Sequence, residues 1–290
     1  MPSLTVLRTL LREYTTFSQM PRVPEPDLVM ANPTNVEAYT RAGTVDRTLA
    51  PIYLHNAAHI AEIVAPGDCV LDLGCGPATQ LSEVATLCTD ASFIGLDLSA
   101  EMLESGRGLL KGMGVHNVEL RQGDITRLEF LDDHSVDAVI STLTFHHLPD
   151  VEALDRTFSE IARVLRPEGG VFLLDFGRLR SQQSVDSFAY QYADRQPQAF
   201  TEDYWHSLRA AFSLDDFRNA GRSLDHAARL HSTFSVPYML AFKSAPRHQQ
   251  GGHLSAVLGK RRNALPLHHQ QDLRDLKMFF SLGGLRTKLL

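Results

Sequence analysis

The stretch Val70-Leu-Asp-Leu-Gly-Cys-Gly-Pro-Ala-Thr79 has the residue types and spacing best suited to chemistry. Two glycines one residue apart, directly after a short apolar run, let the backbone turn tightly and approach a ligand. The helix that follows starts with N–H groups that lack intrahelical partners. Asp97 lies 23 residues beyond Gly74, about the offset at which an acid ending the second strand of a doubly wound fold reaches the ribose of a nucleotide. One carboxylate can accept from both ribose hydroxyls, which a basic side chain cannot do. Two further polar groups follow: Gln122-Gly-Asp124-Ile125, and the run Ser141-Thr-Leu-Thr-Phe-His146-His147-Leu-Pro149 with its paired imidazoles. An imidazole that titrates near ~6.5 can take a proton at neutral pH.

Alternating strand and helix patterns position these residues. Cys69–Leu73, Phe93–Asp97, Val118–Arg121, Val136–Ser141 and Gly170–Asp175 are short apolar runs of the kind buried in parallel sheets. Helices are expected over 77–88 and from an N-cap at Ser99 to about Lys111. A third has an apolar stripe of Val151, Leu154, Phe158, Ile161 and Leu165 and is stopped by Pro167, Gly169 and Gly170. Repeated β-α-β units imply a parallel sheet with helices on both faces, because a right-handed crossover must pack back onto the sheet. Residues 181–220 read as helical, with Thr201 and Ser213 as N-caps. Ala228–Phe234 and Pro237–Phe242 are linked so tightly that only an antiparallel hairpin can join them.

Composition bounds the function class. With 43% hydrophobic and 21% charged residues in 290, the chain is that of a globular protein expected in the cytoplasm. No 18-residue apolar run is present, and Arg8, Arg12 and Glu13 interrupt any signal-like segment, so no membrane association is expected. Cys69, Cys75 and Cys88 fit neither a disulfide framework nor a C-x-x-C zinc site and read as reduced thiols. No run of His and carboxylates has metal-ligand spacing, so no metal is expected. The formal charge of −6 averages two unequal parts. Residues 247–290 hold eight Lys/Arg and two acids, a net +6, which leaves −12 on the rest and argues against nucleic acid as a partner of the main body. The expected organisation is an N-terminal helical lid over 1–50, a main domain over 51–245 whose segment 181–220 covers the substrate, and a basic tail over 246–290.

A G-x-G turn followed by an acid would also suit a nicotinamide dinucleotide protein, but here Thr79 stands where that fingerprint usually has its third glycine. Five motifs in order, the glycine turn, Asp97, Gly-Asp124-Ile125, His146-His147-Leu148 and Val164-Leu-Arg-Pro-Glu-Gly-Gly170, make residues 50–244 resemble the class I S-adenosylmethionine-dependent methyltransferases. The closer likeness is to the small-molecule groups of types 11 and 25. The resemblance implies a Rossmann-like, doubly wound α/β sheet of seven strands in the order 3-2-1-4-5-7-6, with the last strand antiparallel. It implies S-adenosyl-L-methionine as cofactor and S-adenosyl-L-homocysteine as product. Asp72, Gly74, Cys75 and Gly76 would line the methionine part, Asp97 would hold the ribose, and Leu98 would pack on the adenine. Asp124 would accept from the adenine amino group, Ile125 would cover the other ring face, and Ser141, with Thr142, would lie near the methionine.

Methyl transfer from a sulfonium is an in-line displacement, so alignment is the main service a protein renders. A base helps when the acceptor is a hydroxyl or an ammonium. His146 and His147 are the candidates, at the carboxyl end of the fourth strand, with one of the pair expected to pack on the sheet. In such proteins the N-terminal region and the segment after strand five cover the acceptor. Here these hold Tyr39, Tyr53 and His55, and Tyr190, Tyr192, Tyr204, Trp205 and His206. An aromatic cover suggests a small, ring-containing metabolite, methylated on O, N or C. Two other readings stay open at this level: a catalytically silent cofactor-binding partner, and an RNA-directed enzyme anchored by the basic tail. The N-terminal region or the tail could also support a homo-oligomer.

Overall fold

The computed structural model describes residues 4–26, 33–44, 46–225, 227–247 and 252–290. Its centre is one seven-stranded sheet: β1 (Cys69–Leu73), β2 (Ser92–Asp97), β3 (Val118–Gln122), β4 (Val136–Thr142), β5 (Leu165–Phe176), β6 (Arg229–Ser232) and β7 (Met239–Lys243). The spatial order is β3-β2-β1-β4-β5-β7-β6. The first five strands pair in parallel, and β7 runs antiparallel to both β5 and β6, so the expected hairpin forms the last two strands.

Period-two alternation divides β1 between two apolar layers: Val70 faces one cluster of buried side chains, Leu71 and Leu73 the other. On the first face lie α3 (Ala50–Ile63), α4 (Thr79–Ala85) and α5 (Ala100–Met113). On the second lie α6 (Val151–Val164) and α9 (Leu214–Ala220). Ser99 caps α5 by accepting from the Met102 amide at 3.1 Å, and Ser213 with Asp216 forms the reciprocal capping box at α9. Leu154, Phe158 and Ile161 of α6 are fully buried as its stripe predicts. Val151 instead stays exposed on the first turn, and Leu165 is already the first residue of β5. Thr201 is not a cap. It lies inside α8 (Gln198–Ala210), whose N-cap is Pro197.

The termini differ most from expectation. Residues 252–290, expected as a separate basic tail, fold back on the main domain: α10 (Gly252–Asn263) and α11 (Leu267–Leu282) close over the outer face of α3, where Leu258, Leu265, Leu273 and Leu289 meet Ala50, Leu54, Ala58 and Ala61. A helix covered on both sides must be apolar all round, and 13 of the 14 residues of α3 are buried. Its few polar groups are paired. Glu62 forms an ion pair with Lys243 of β7 and accepts from Thr287 Oγ1 at 2.8 Å and the Lys288 amide at 2.9 Å. At the other end, α1 (Leu4–Thr15) packs on α7 (Gln182–Ala189), and α2 (Pro33–Thr44) packs on α4, α5 and α8. No helix among the described residues is long and apolar enough to cross a membrane.

Phe280 is fully buried in α11 and stacks on His55 of α3 at 5.1 Å. Phe280→Ala is therefore expected to cost about 3–5 kcal/mol in urea unfolding followed by circular dichroism. An unchanged midpoint would mean that the last two helices are not part of the cooperative fold.

Candidate active site

The carboxyl ends of β1, β2 and β4 meet at a cavity of about 560 Å³, within the range of small-molecule sites. Gly74 adopts φ +70 where β1 turns away from the sheet, and a Cβ there would lie 2.0 Å from Thr144 Cγ2, so only glycine fits. Thr144 Oγ1 donates to the Gly74 carbonyl at 3.1 Å, tying the glycine turn to the loop after β4. Gly76 also has positive φ, but a Cβ there would meet nothing within 4 Å, which is open space beside the turn. Asp97 ends β2 with its carboxylate held by two amides: Oδ2 accepts from Gly76 and Oδ1 from Ser99, each at 2.8 Å. Each oxygen keeps lone-pair capacity for a diol. Leu98, Asp124 and Ile125 continue the same wall, and Asp124 Oδ1 is fixed by the Thr126 amide at 2.8 Å.

A side chamber of about 20 Å³ behind the turn is lined by Tyr39, Tyr53, Asp72, Gly74, Cys75, Gly76, Thr79 and Thr142, among others. Burial, reinforced by the charge of Asp97, pushes the Asp72 carboxyl up to about 8. Thr79 Oγ1 is buried there without a hydrogen-bond partner. The Asp72 carboxyl, an orphaned hydroxyl and an open glycine face fit the ammonium and carboxylate of an amino-acid moiety, and the diol-ready Asp97 fits a ribose. The residues present therefore suit S-adenosylmethionine.

Ser141 is not among them. It is fully buried, and its Oγ donates to the Leu73 carbonyl at 2.8 Å, bracing β4 on β1. Neighbouring strand residues point to opposite faces, so Thr142 takes the place in the chamber.

At the acceptor end, the loop after β4 carries a 3-10 turn at Phe145–His147. Asp175 of β5 accepts from the amides of Thr144 and His146, both at 3.1 Å, and its Oδ1 lies 2.7 Å from His146 Nδ1. The pairing commits Nδ1 and leaves Nε2 for the cavity. Burial pulls the His146 imidazole down, but the facing Asp175 overrides it and the ring titrates above its usual value. Burial, with the neighbouring His146, drives His147 well below the ordinary range, and its Nδ1 is sealed from solvent without a partner.

The cover has fewer of the expected residues than its aromatic content suggests. Tyr39, Tyr192 and Tyr204 line the cavity, with Phe176, Phe200 and Tyr238 beside them. Tyr53 reaches only the side chamber, where its hydroxyl pairs with that of Tyr39. His55 is turned the other way, to the α11 side of α3, where burial lowers it to about 4. Tyr190 is 51% exposed and away from the cavity. Trp205 donates from Nε1 to Asp186 Oδ1 at 2.8 Å and stacks under Arg209, which locks α8 to α7.

Residues unremarkable in the sequence complete the site. In the Pro-rich connector, the Arg22 guanidinium donates to the carbonyls of Ala210 and Pro149, both at 2.6 Å, of His146 at 3.0 Å, and of Leu148. It thereby pins the connector under the His146 loop. Three residues on, Glu25 accepts from Ser207 Oγ at 2.9 Å, and burial raises its carboxyl to about 7. Only the charges between the prolines could have flagged this segment.

The raised Asp72 predicts a pH effect on stability. The folded state keeps this proton up to about pH 8 while the unfolded chain releases it near the ordinary aspartate value, so between these limits folding binds an extra proton and stability falls as pH rises. Asp72→Asn is expected to gain on the wild type progressively from pH 5 to pH 8 in urea unfolding. A pH-independent difference would contradict burial of this acid.

Residues 70–169 match the family described as "Methyltransferase domain". An uncharacterized 37.1 kDa protein in transposon TN4556 of Streptomyces fradiae is 32% identical over 202 residues, covering 68% of this chain and 52% of its own. The demethylmenaquinone methyltransferase of Bacillus cytotoxicus is 33% identical over 113 residues, covering 39% of this chain and 46% of its own. The chain thus spans about half the length of these curated relatives. A structure from Methanococcus maripaludis, named as an S-adenosyl-L-methionine-dependent methyltransferase, superposes with a TM-score of 0.55 at 17% identity, over 79% of this chain and 98% of that one, a likeness of fold. With the strand order and the glycine cradle in place, the family match identifies residues 70–169 as a methyltransferase domain of the class I S-adenosylmethionine-dependent kind.

Proposed function

We propose that the protein transfers a methyl group from S-adenosylmethionine to a small, ring-containing acceptor. The observation that carries this reading is the continuity of one cavity, which runs from the Gly74, Gly76 and Asp97 cradle to His146 and His147 without an intervening wall. When bound, the cofactor supplies a methyl on a positively charged sulfur; the carbon–sulfur bond breaks with its electron pair going to sulfur as the acceptor bonds the carbon. Asp97 and the glycine turn fix one end of the reacting line. The aromatic cover of Tyr39, Phe176, Phe200, Tyr204 and Tyr238 excludes water and holds a flat, partly apolar body at the other. His146 and His147 line the other end of the cavity with Glu25 close to both, and this polar group promotes loss of the acceptor's proton.

The demethylmenaquinone methyltransferase relative supports an acceptor with a ring, since that name specifies a quinone-type substrate for the Bacillus protein. The leucines of α10 and α11 pack on α3, so the C-terminal segment is part of the fold, which favours a structural role for it over that of a free RNA anchor.

Calorimetry with S-adenosylmethionine and with NAD is expected to give saturable binding for the first alone; binding of NAD alone would refute the reading. Asp97→Ala should weaken cofactor binding by about 1–3 kcal/mol through the lost hydrogen bonds. Incubation with cofactor labelled on the methyl group and a small-molecule extract is expected to label a ring-bearing metabolite, and label appearing only in RNA or protein would redirect the assignment.

A further inference from the structure

The fold assembles a donor set that no sequence spacing announces. Glu25 from the connector and His146 and His147 from the loop after β4 each bring a ligating atom within 4.8 Å of the other two, and both histidines line the cavity. We infer that these three side chains bind a first-row divalent cation and that the cation holds the oxygen of the acceptor.

Three observations converge on this. His146 donates its Nδ1 proton to a carboxylate, Asp175, at 2.7 Å. That is the outer-shell arrangement found behind metal-bound histidines, where it fixes the tautomer and makes the free nitrogen a better ligand. Glu25 is steadied in the same way by Ser207 Oγ at 2.9 Å. His147 has a nitrogen sealed from solvent with no hydrogen-bond partner, an expense that a bound cation would offset. Two imidazoles and one carboxylate suit zinc, cobalt, manganese or iron better than magnesium or calcium, and three protein ligands leave positions open. Those positions face the cavity. Ligands on a tetrahedral cation stand about 3.4 Å apart, so rotations of roughly 1 Å would close the set. Glu25 lies outside any helix.

The inference deepens the methyl-transfer reading and rests on it for its purpose. A cation on the acceptor hydroxyl lowers that group's pKa, so its proton passes to solvent and the oxygen reacts as an alkoxide or phenolate. It also fixes the oxygen on the line to the methyl group. Asp203 of α8, which acts electrostatically on His146, adds negative charge on the same side.

Cobalt(II) titration of the full chain tests the site without involving the cofactor. One equivalent is expected to bind with visible d–d absorption, and Zn²⁺ should displace it. Glu25→Gln and His147→Ala are each expected to weaken binding at least ~10-fold, with Ser207→Ala giving a smaller loss in the same direction. S-adenosylmethionine affinity, measured on the same samples, should stay at the wild-type value and so certify the fold. Absence of one-equivalent binding, or binding undiminished in Glu25→Gln and His147→Ala, would overturn the cation site. A chain that binds cobalt but not S-adenosylmethionine would instead overturn the methyl-transfer reading and leave the cation site standing. Should His147→Ala not fold, His147→Gln keeps the bulk and is expected to show the same loss.

Discussion

Asp175 is the side chain on which the active end of the molecule depends. It sits at the end of β5 with 1% of its surface exposed and takes hydrogen bonds from three amides, those of Thr144, His146 and Phe176, and from the His146 ring. A buried carboxylate is tolerated only when such bonds satisfy it, and once satisfied it holds its donors in one geometry. The loop after β4 is thereby folded back on the sheet. That brings Thr144 against Gly74 and turns His146 toward the cavity, so one carboxylate positions both the glycine turn and the cavity-facing imidazole.

The second constraint lies on the opposite side. Helix α3 covers one sheet face and is itself covered by α10 and α11, so it separates two apolar layers. Such a helix cannot present polar groups to water, and its polar side chains must find partners inside. His59 stacks on Phe172 of β5 at 5.6 Å and lies 3.0 Å from Lys243 Nζ, and the charge of that lysine is met by Glu62. His55 and His59 are thus part of the scaffold, and burial keeps both rings neutral.

The cavity is closed by a segment distant in sequence from the sheet. Arg22 clips the connector to three carbonyls of the His146 loop and to that of Ala210 at the end of α8, and lies 4.0 Å over the ring of Phe212. A guanidinium suits this task because its donors fan out in a fixed plane and can serve several acceptors at once. Glu25 is delivered by the same clip, which is how an acid from the N-terminal region comes to face two histidines more than a hundred residues away.

The strand order came from the family resemblance; the strands themselves, the glycine turn and the acid that ends β2 were legible in the sequence by itself. Those features are local: Gly74 and Gly76 follow their own strand, Asp97 ends the next, and the apolar periods of β1, β4 and α6 can be read without knowing what packs where. Ser141 was misread because a shift of one residue along a strand reverses the face, and the structure puts Thr142 rather than Ser141 at the wall of the side chamber. Tyr190, Trp205 and His55 were misread because an aromatic side chain is equally at home in a core, on a surface or at a ligand, and its residue type does not distinguish them. Asp175 had no signal at all, and Glu25 and Arg22 had only their charges between prolines. Their roles come from hydrogen bonds between elements 29 to 188 residues apart in the chain, and bonds of that range exist only once the tertiary structure has brought their partners together.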